Sequence, residues 1–537
     1  MLALMAALVL QLLYGLVTDG VTDDEPIYVA SGLLHVRGDF RTNRDQPPLA
    51  KLVAALPLVP LVPRVPEPPP GADAEAWSYG VIHGENRALP LVPLARLPAV
   101  VASGLLGLVV WSWGRAAAGP RAALGALAVT AFQPALLAHG HLATTDAIAA
   151  LMMVTASAAF WLFLERASLA LAVLVSVALG LAVTTRLTAW LLVPVFLLLL
   201  AARALRSGGR SRGGRAALLL AATMLVMVPL VIWGVYAFRF EPWPGTAPFF
   251  SSRPTGPAGE LLRFSARHRL LPHAYLEGFR FQLEHSAKGH PAYLLGARSE
   301  TGFPHYYLVV LLVKNTPGLL ALAALATWLA RARPRRPTPA HVHWLVTAGA
   351  IVVAASAGGV HIGERYILAG YPYLALWIAS RVGAAWESPW LRKAAGLALV
   401  AHAVPVLLAA PAGYLTYFNG IAGGSRGGHR WLADSNLDWG QDLPRLAAWM
   451  RENGVRRVRL GYFGSDDPDR YGIAHDPAGG APAGPSPQPR GTDGEVLVLS
   501  PNVLLGFLAP PGEDPYATLR QRSADDRAGI FFVYRVR

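Results

Sequence analysis

Residues 19–51 read DGVTDDEPIYVASGLLHVRGDFRTNRDQPPLAK and follow directly on the apolar stretch Met1–Val17. That junction decides the fold. Met1–Val17 has no basic start and no small-residue cleavage site behind it, so it reads as an uncleaved first membrane helix. Three consecutive carboxylates, Asp23, Asp24 and Glu25, then stand a few residues past the hydrocarbon edge, at the height of a lipid phosphate. Ionisable groups near a bilayer are costly and are usually kept for a task.

The rest of the chain has the same character. Of its 537 residues 53% are hydrophobic and only 15% charged, with a mean hydropathy of +0.38. A soluble domain would carry about a quarter charged residues. Apolar blocks fall near 1–18, 93–113, 120–138, 146–164, 168–186, 187–203, 216–238, 306–330, 342–359, 366–382 and 394–412. Each can cross ~30 Å of hydrocarbon as a helix, which predicts a polytopic α-helical membrane protein of about 11 spans. The net charge of +14 is no sign of nucleic acid, because much of the Arg sits in short links between apolar blocks. The chain has no cysteine, which excludes disulfides, thiolate metal sites and Cys nucleophiles.

The links 203–215 and 331–337 are strongly basic, and Arg115, Arg121, Arg381, Arg392 and Lys393 fall in links of the same parity. The positive-inside rule places them in the cytoplasm. The long segments 19–92 and 239–305, the short turns 139–145 and 360–365, and the tail from 413 onward then lie outside a cell (inner) membrane. Residues 48–65 are apolar but broken by prolines, as expected of a helix lying in the interface. The tail has a helical pattern over Leu443–Asn453 with Asp442 as N-cap, strand-like runs at Arg457–Phe463, Glu495–Ser500 and Gly529–Val536, and a Pro/Gly-rich loop at 476–492. The expected organisation is a transmembrane catalytic domain, 1–412, and a small extracytoplasmic α/β domain, 413–537.

This topology gathers three charged sites on one face: Asp23–Glu25; His139, His141 and Asp146; and His361, Glu364 and Arg365. Asn43, Arg44 and Asp45 lie on the same side, with Arg186 and Lys314 close to it inside apolar blocks. These are the parts a transfer from a lipid phosphate needs. A carboxylate accepts the proton of the attacking hydroxyl, and cations or a metal neutralise the departing phosphate. Each site also has a plainer reading. Asp24 is placed to cap a helix, with Thr22 and Glu25 as a capping box. Asp146 is placed to cap another. His139 and His141 read first as interfacial polar residues, Arg186 and Lys314 as snorkelling cations, and Arg365 as a flank anchor. Asp434, Asn436, Asp438 and Asp442 read first as a cap-rich turn.

The motifs D-E before a short helix, GDF..N..DQPPLAK, and TTD opening a later helix resemble the GT-C superfamily of polyprenyl-phosphate-sugar-dependent glycosyltransferases. Protein O-mannosyltransferases and lipid A aminoarabinose transferases are its relatives. GHPAYLLGARSETG (289–302), IGERYILAGYPYL (362–374) and YFNGIAGGSRGGHRWLADSNLDWGQDL (417–443) are similar to an uncharacterised bacterial branch. The resemblance implies a membrane glycosyltransferase that moves a sugar from a polyprenyl-phosphate carrier to a protein, lipid or glycan acceptor, with inversion. It implies Asp24 as the catalytic aspartate with Glu25 beside it, and Asp146 as the second acid. Arg365, Arg186, Lys314 and His361 fall at phosphate- or donor-binding positions. Asp45 falls at a metal-associated position, where its neighbour is often His or Lys and here is Gln46. A divalent metal is the one cofactor considered, with Asp45 and His141 as its ligands. The rival reading is a non-catalytic protein that binds or transports a lipid-linked sugar.

Overall fold

The computed structural model describes residues 1–537 apart from 69–72, 207–209, 244–249, 251, 253, 333–337, 385–387, 479–494, 507–508, 510–513 and 536–537. Residues 333–337 of the basic link 331–337 and most of the loop 476–492 lie outside the described residues.

Helices occupy the apolar blocks to within a few residues. Among the described residues six are long and apolar enough to cross a membrane: Leu91–Ala118, Asp146–Glu165, Leu187–Leu205, Gly213–Val235, Pro339–Ala357 and Pro389–Ala412. The block expected at 306–330 is a pair, Tyr306–Val313 and Pro317–Ala332, bent by 111° at Lys314–Thr316, and makes a seventh if counted as one span. The other expected spans are shorter helices, Leu2–Thr18, Leu169–Val183 and Gly370–Gly383. The block 120–138 is broken, because Pro134 follows the end of Pro120–Ala131 and starts the new helix Pro134–His139. Length alone therefore supports fewer spans than the eleven expected.

Asp146–Glu165 is the central helix, with 78% of its apolar window buried, against 17% for Gly213–Val235 and for Pro389–Ala412. Its bulky Phe160 and Phe163 are enclosed, whereas Leu225 and Leu408 of the outer helices are exposed. That contrast is what lipid as solvent produces, since an outer helix face needs no protein cover there.

The segment after Leu2–Thr18 folds back on itself. Helix Glu25–Val36 lies against Leu49–Ala55 so closely that a Cβ on Gly32 would come within 2.3 Å of the Lys51 carbonyl oxygen. Lys51 donates from Nζ to the Asn43 carbonyl (2.5 Å), Asn43 Oδ1 (2.9 Å) and the Gln46 carbonyl (2.7 Å), which fixes the turn before Pro47-Pro48. Burial, opposed by the charge of Asp45, brings Lys51 down to about 7. In 239–305 the chain forms helices Gly256–Arg267 and His273–Lys288 and a hairpin pairing Ala292–Leu294 with Ala297–Ser299.

The tail carries the expected helix, at Leu443–Glu452, and a five-stranded sheet. Val458–Gly461, Val496–Leu499 and Phe531–Arg535 are its centre, as read from the sequence, with short edge strands His475–Pro477 and Asp526–Ala528 added. The 475–458–496 strands run parallel and the 496–531–526 strands antiparallel. Residues 413–442 run back under the helices. Asn419 donates its backbone N–H to the Val313 carbonyl at 2.9 Å, and Lys314 donates to the carbonyls of Leu415 (2.8 Å) and Asn436 (2.6 Å).

Candidate active site

Asp24 stands at the N-cap of helix Glu25–Val36, yet its side chain makes no capping bond. Its Oδ2 instead accepts a hydrogen bond of 2.7 Å from Arg365 Nη1, across 341 residues of chain. Arg365 lies on the short helical turn Glu364–Ile367, its guanidinium 4.2 Å from the ring centre of Trp439. Its buried Nε has no hydrogen-bond partner. Burial works against the charge on Arg365, but Asp24 and Asp146 outweigh it and raise the group above its ordinary value.

Asp146 opens the central helix and likewise makes no capping bond, Thr145 being the N-cap. Its carboxylate pairs with Arg186 and accepts from Thr144 Oγ1 at 3.0 Å. Arg186 also lies 4.9 Å from the ring centre of Tyr366. The capping reading of both aspartates thus gives way to ion pairs with arginines from distant segments.

Asp146, Arg186, Arg365 and Tyr366 head one cavity of ≈ 340 Å³. Its walls are apolar, with Ala149, Met153, Leu191, Ile351, Ala354 and Leu368 among them, and Gln282 and Ser286 reach it from helix His273–Lys288. A cavity with arginines at one end and aliphatic side chains along its length suits an amphipathic ligand with an anionic head.

Other residues named from the sequence lie elsewhere. Glu25 is fully buried. Its carboxylate takes Arg96 Nε (2.7 Å) and Nη2 (2.6 Å), the Thr22 N–H (2.8 Å) and the Ala143 N–H (2.8 Å). It turns away from Asp24 and has no capacity left for a substrate. Lys314 is fully buried, 3.2 Å from Glu364, and is bound by two backbone carbonyls. His361 accepts from the Phe303 N–H at 2.9 Å through Nδ1, and its Nε2 faces the Ala355 carbonyl at 3.2 Å. Neither lines the cavity. His139 and His141 are enclosed rather than interfacial. His141 spends Nδ1 on the Leu137 carbonyl (2.8 Å) and Nε2 on Asp19 Oδ2 (3.1 Å).

The metal reading finds no ligand set. Asp45 accepts from Asn43 Nδ2 at 2.8 Å, and both His141 nitrogens are engaged. Among the described residues no group of three His, Asp or Glu side chains is arranged to hold a metal ion. Asp438 and Asp442 are spent on the fold, and Asp434 accepts from the adjacent Ser435 N–H. Asp438 accepts from the Asn502 N–H (3.1 Å), and Asp442 accepts from Arg445 (2.6 Å) and the Ile530 N–H (2.8 Å).

Two contributors escaped the sequence reading. Arg96 is a cation inside an apolar block, and that alone marks such a residue for attention. The tail is the other. It holds the loop 19–24 by Gly20 N–H to the Gln441 carbonyl (2.8 Å), Asp23 N–H to the Trp439 carbonyl (2.9 Å) and Val21 N–H to Asp466 Oδ2 (2.9 Å). Ser465 Oγ donates to the Asp23 carbonyl at 2.6 Å and Arg445 to Asp19 at 2.8 Å. Burial, the adjacent Asp24, then Glu75 and Asp434 push the Asp23 carboxyl up to about 8, against the pull of Arg365.

Residues 93–233, which include Asp146 and Arg186, match the family described as dolichyl-phosphate-mannose-protein mannosyltransferase. No curated protein matches the chain. Among solved structures it is similar to ArnT from Cupriavidus metallidurans bound to undecaprenyl phosphate. The identity is 18% over 99% of this chain and 97% of that one, with a TM-score of 0.49. It is also similar to the Archaeoglobus fulgidus oligosaccharyltransferase in the apo form, at 14% identity and a TM-score of 0.49, covering 84% of this chain and 58% of that one. A third is archaeal AglB from the same organism in complex with an inhibitory peptide and a dolichol-phosphate, at 12% identity and a TM-score of 0.46, with 84% and 58% covered. The chain thus spans little more than half the length of these oligosaccharyltransferases. Over the stretch it covers, the family match bears out the resemblance to polyprenyl-phosphate-sugar-dependent glycosyltransferases.

Proposed function

We propose that this chain is an integral membrane glycosyltransferase that moves a sugar from a polyprenyl-phosphate carrier to an acceptor hydroxyl or amine on the extracytoplasmic face of the membrane. The observation that carries the reading is a cavity, greasy along its walls and headed by Arg186, Arg365 and Asp146, with Asp24 hydrogen-bonded to Arg365. The family match over 93–233 supports the class of donor. The orientation rests on the basic links, and residues 413–537 then form the outer domain.

The donor phosphate sits between Arg186 and Arg365, using the unpartnered Nε of Arg365, and the polyprenyl chain lies along the aliphatic wall. An acceptor oxygen attacks the anomeric carbon while Asp24 takes its proton. The bond from that carbon to the phosphate oxygen breaks, and the phosphate keeps the electron pair. The two guanidinium groups stabilise the charge that grows there. Asp146 holds Arg186 in place. Direct displacement inverts the anomeric configuration. No step runs through a metal.

The test is the full chain, purified in detergent and offered a panel of polyprenyl-phosphate sugars, with release of polyprenyl phosphate as the readout. Asp24→Asn is expected to lose about 10²–10⁴-fold in turnover, the range typical of a general base. Normal turnover in a normally expressed Asp24→Asn variant refutes the base assignment, and a retained anomeric configuration refutes direct displacement. Mass analysis of envelope glycans from a deletion strain identifies sugar and acceptor.

A further inference from the structure

The segment YFNGIAGGSRGGHRW, 417–431, takes no part in the site described above. Two of its glycines, Gly427 and Gly428, are required by close packing. A Cβ on Gly427 would come within 2.1 Å of the Ala422 carbonyl oxygen, and one on Gly428 within 2.4 Å of the Phe418 ring. The tight loop that results presents Arg426 and His429 to a pocket of ≈ 280 Å³. Arg527, from the strand Asp526–Ala528 of the tail sheet, closes the opposite wall with Gly529 and Ile530. Ser425 adds a hydroxyl, whereas that of Thr416 is spent on the carbonyls of Ala412 (3.0 Å) and Gly413 (2.8 Å), and no carboxylate lines the pocket.

The cations here are not neutralised within the fold. Among the described residues none of Arg426, Arg430 and Arg527 forms an ion pair. Arg527 donates one N–H to the Ile530 carbonyl at 3.2 Å and lies 3.3 Å from the ring centre of Phe532. Burial, with Arg426 and Arg430 adding to it against Tyr534, brings Arg527 down to about 10, as expected of like charges held together. Two acids stand behind the lining. Asp526 is taken by Trp449 Nε1 (2.9 Å) and the Arg527 backbone N–H (2.7 Å), and Asp442, behind Gly529 and Ile530, by Arg445 (2.6 Å) and the Ile530 N–H (2.8 Å). The pocket also sits at a particular height. Its lining begins at Ala412, the last residue of the span Pro389–Ala412, beside the exposed Leu407, Leu408 and Ile421. On the membrane orientation proposed above, the end of this span puts the cations at head-group level.

From these observations we infer that the pocket is a second, non-catalytic site for a phosphate-class anion. Paired arginine forks with a serine hydroxyl are chemistry that recognises phosphate oxygens. The volume admits a phosphate with a small polar substituent, not a lipid chain, which would trail outside over Leu408 and Ile421. The anion comes from one of two sources, the head group of an acidic lipid or a soluble phosphate ester.

The experiment uses the full chain in phosphatidylcholine nanodiscs, titrated calorimetrically with inorganic phosphate, and in discs containing phosphatidylglycerol, with retained lipid counted by native mass spectrometry. Arg426→Gln with Arg527→Gln is expected to weaken binding of at least one probe by about tenfold or more. The charge-matched pair Arg451→Gln with Arg456→Gln, exposed elsewhere on the tail, is expected to change nothing. Arg426→Lys with Arg527→Lys keeps part of the affinity. Loss confined to phosphatidylglycerol assigns the lipid source, and loss confined to inorganic phosphate assigns the soluble one. Either supports the site. A wild-type chain that saturates with neither probe overturns it, as does an equal loss in the control pair. A measurement free of variants is phenylglyoxal labelling of the wild type. Phosphate or phosphatidylglycerol should protect Arg426 and Arg527 at least about tenfold over Arg451, and absence of protection overturns the proposal.

Discussion

Asp24 and Glu25 are adjacent in the chain, both are carboxylates and each pairs with an arginine, yet their surroundings are opposite. The Glu25 side chain is 0% exposed and its arginine 2%, whereas Asp24 is 27% exposed and Arg365 11%. Arg96 gives its remaining N–H groups to the carbonyls of Leu16 (3.1 Å), Asp19 (2.8 Å) and Gly20 (2.6 Å). Every polar group of that pair is satisfied by protein. In the other pair Asp24 takes one bond from Arg365, and Arg365 keeps a buried N–H without a partner. A saturated buried network fixes a fold, and an unsaturated one beside a cavity keeps capacity for a ligand.

The largest expected effects separate the two pairs by readout. Asp24→Asn should remove about 10²–10⁴-fold of turnover and leave the melting temperature nearly unchanged. Glu25→Gln or Arg96→Met should do the reverse, costing about 3–5 kcal/mol of stability because each leaves one charge buried and unpaired. Thermal unfolding of the detergent-solubilised chain measures the second, and donor turnover per folded molecule measures the first. If Glu25→Gln lowered turnover without touching stability, the division between a structural and a chemical acid would be wrong.

A smaller effect concerns the seam that holds both pairs in place. Burial alone would raise Asp19, but the hydrogen bond from His141 and the charge of Arg445 hold its carboxyl down at about 2. A carboxylate depressed in the folded state stabilises the fold above its unfolded value near 4. That contribution, about 2 kcal/mol, is lost as pH falls from about 4 towards 2. Asp19→Asn should therefore melt lower than the wild type at pH 7, and the gap should narrow steadily as pH is taken from 5 to 3. A gap that held constant down to pH 3 would show that Asp19 is not the ionised partner of Arg445.

How much of this was legible in the sequence follows from the range of the interactions. Hydropathy is a local property, so the apolar blocks located the helices. It does not record where a helix breaks in three dimensions, which is why 306–330 bends by 111° and the block at 120–138 splits at Pro134. The strands of the tail sheet were visible as β-branched and aromatic runs, whereas its short edge strands have no such pattern. Asp24, Asp146, Arg186 and Arg365 stand out in the sequence because charge is rare in apolar surroundings. Glu25, Lys314 and His361 satisfy the same criterion, and only burial and partner counts tell a spent charge from an available one. The role of the tail had no local signal, because Trp439 meets Asp23 and Arg365 only once the chain has closed.

The finest form of the comparison is how each arginine is held. Arg96 is fixed by acceptors that consume its N–H groups. Arg365 is steadied by the face of Trp439, which restrains the guanidinium plane while Nη1 holds Asp24 and Nε–H is left without a partner. His139 meets the same ring edge-on, at 5.8 Å between centres, which fixes the ring in turn. Trp439→Leu removes a cation–π contact worth about 0.5–2 kcal/mol, so the Michaelis constant for the donor should rise by roughly two- to thirtyfold with less change in turnover. Trp439→Phe should recover part of the loss, because a smaller ring still offers a face. A merely structural tryptophan would lower the yield of folded protein and leave the Michaelis constant of the surviving molecules alone, and that outcome would sever the tail from donor binding.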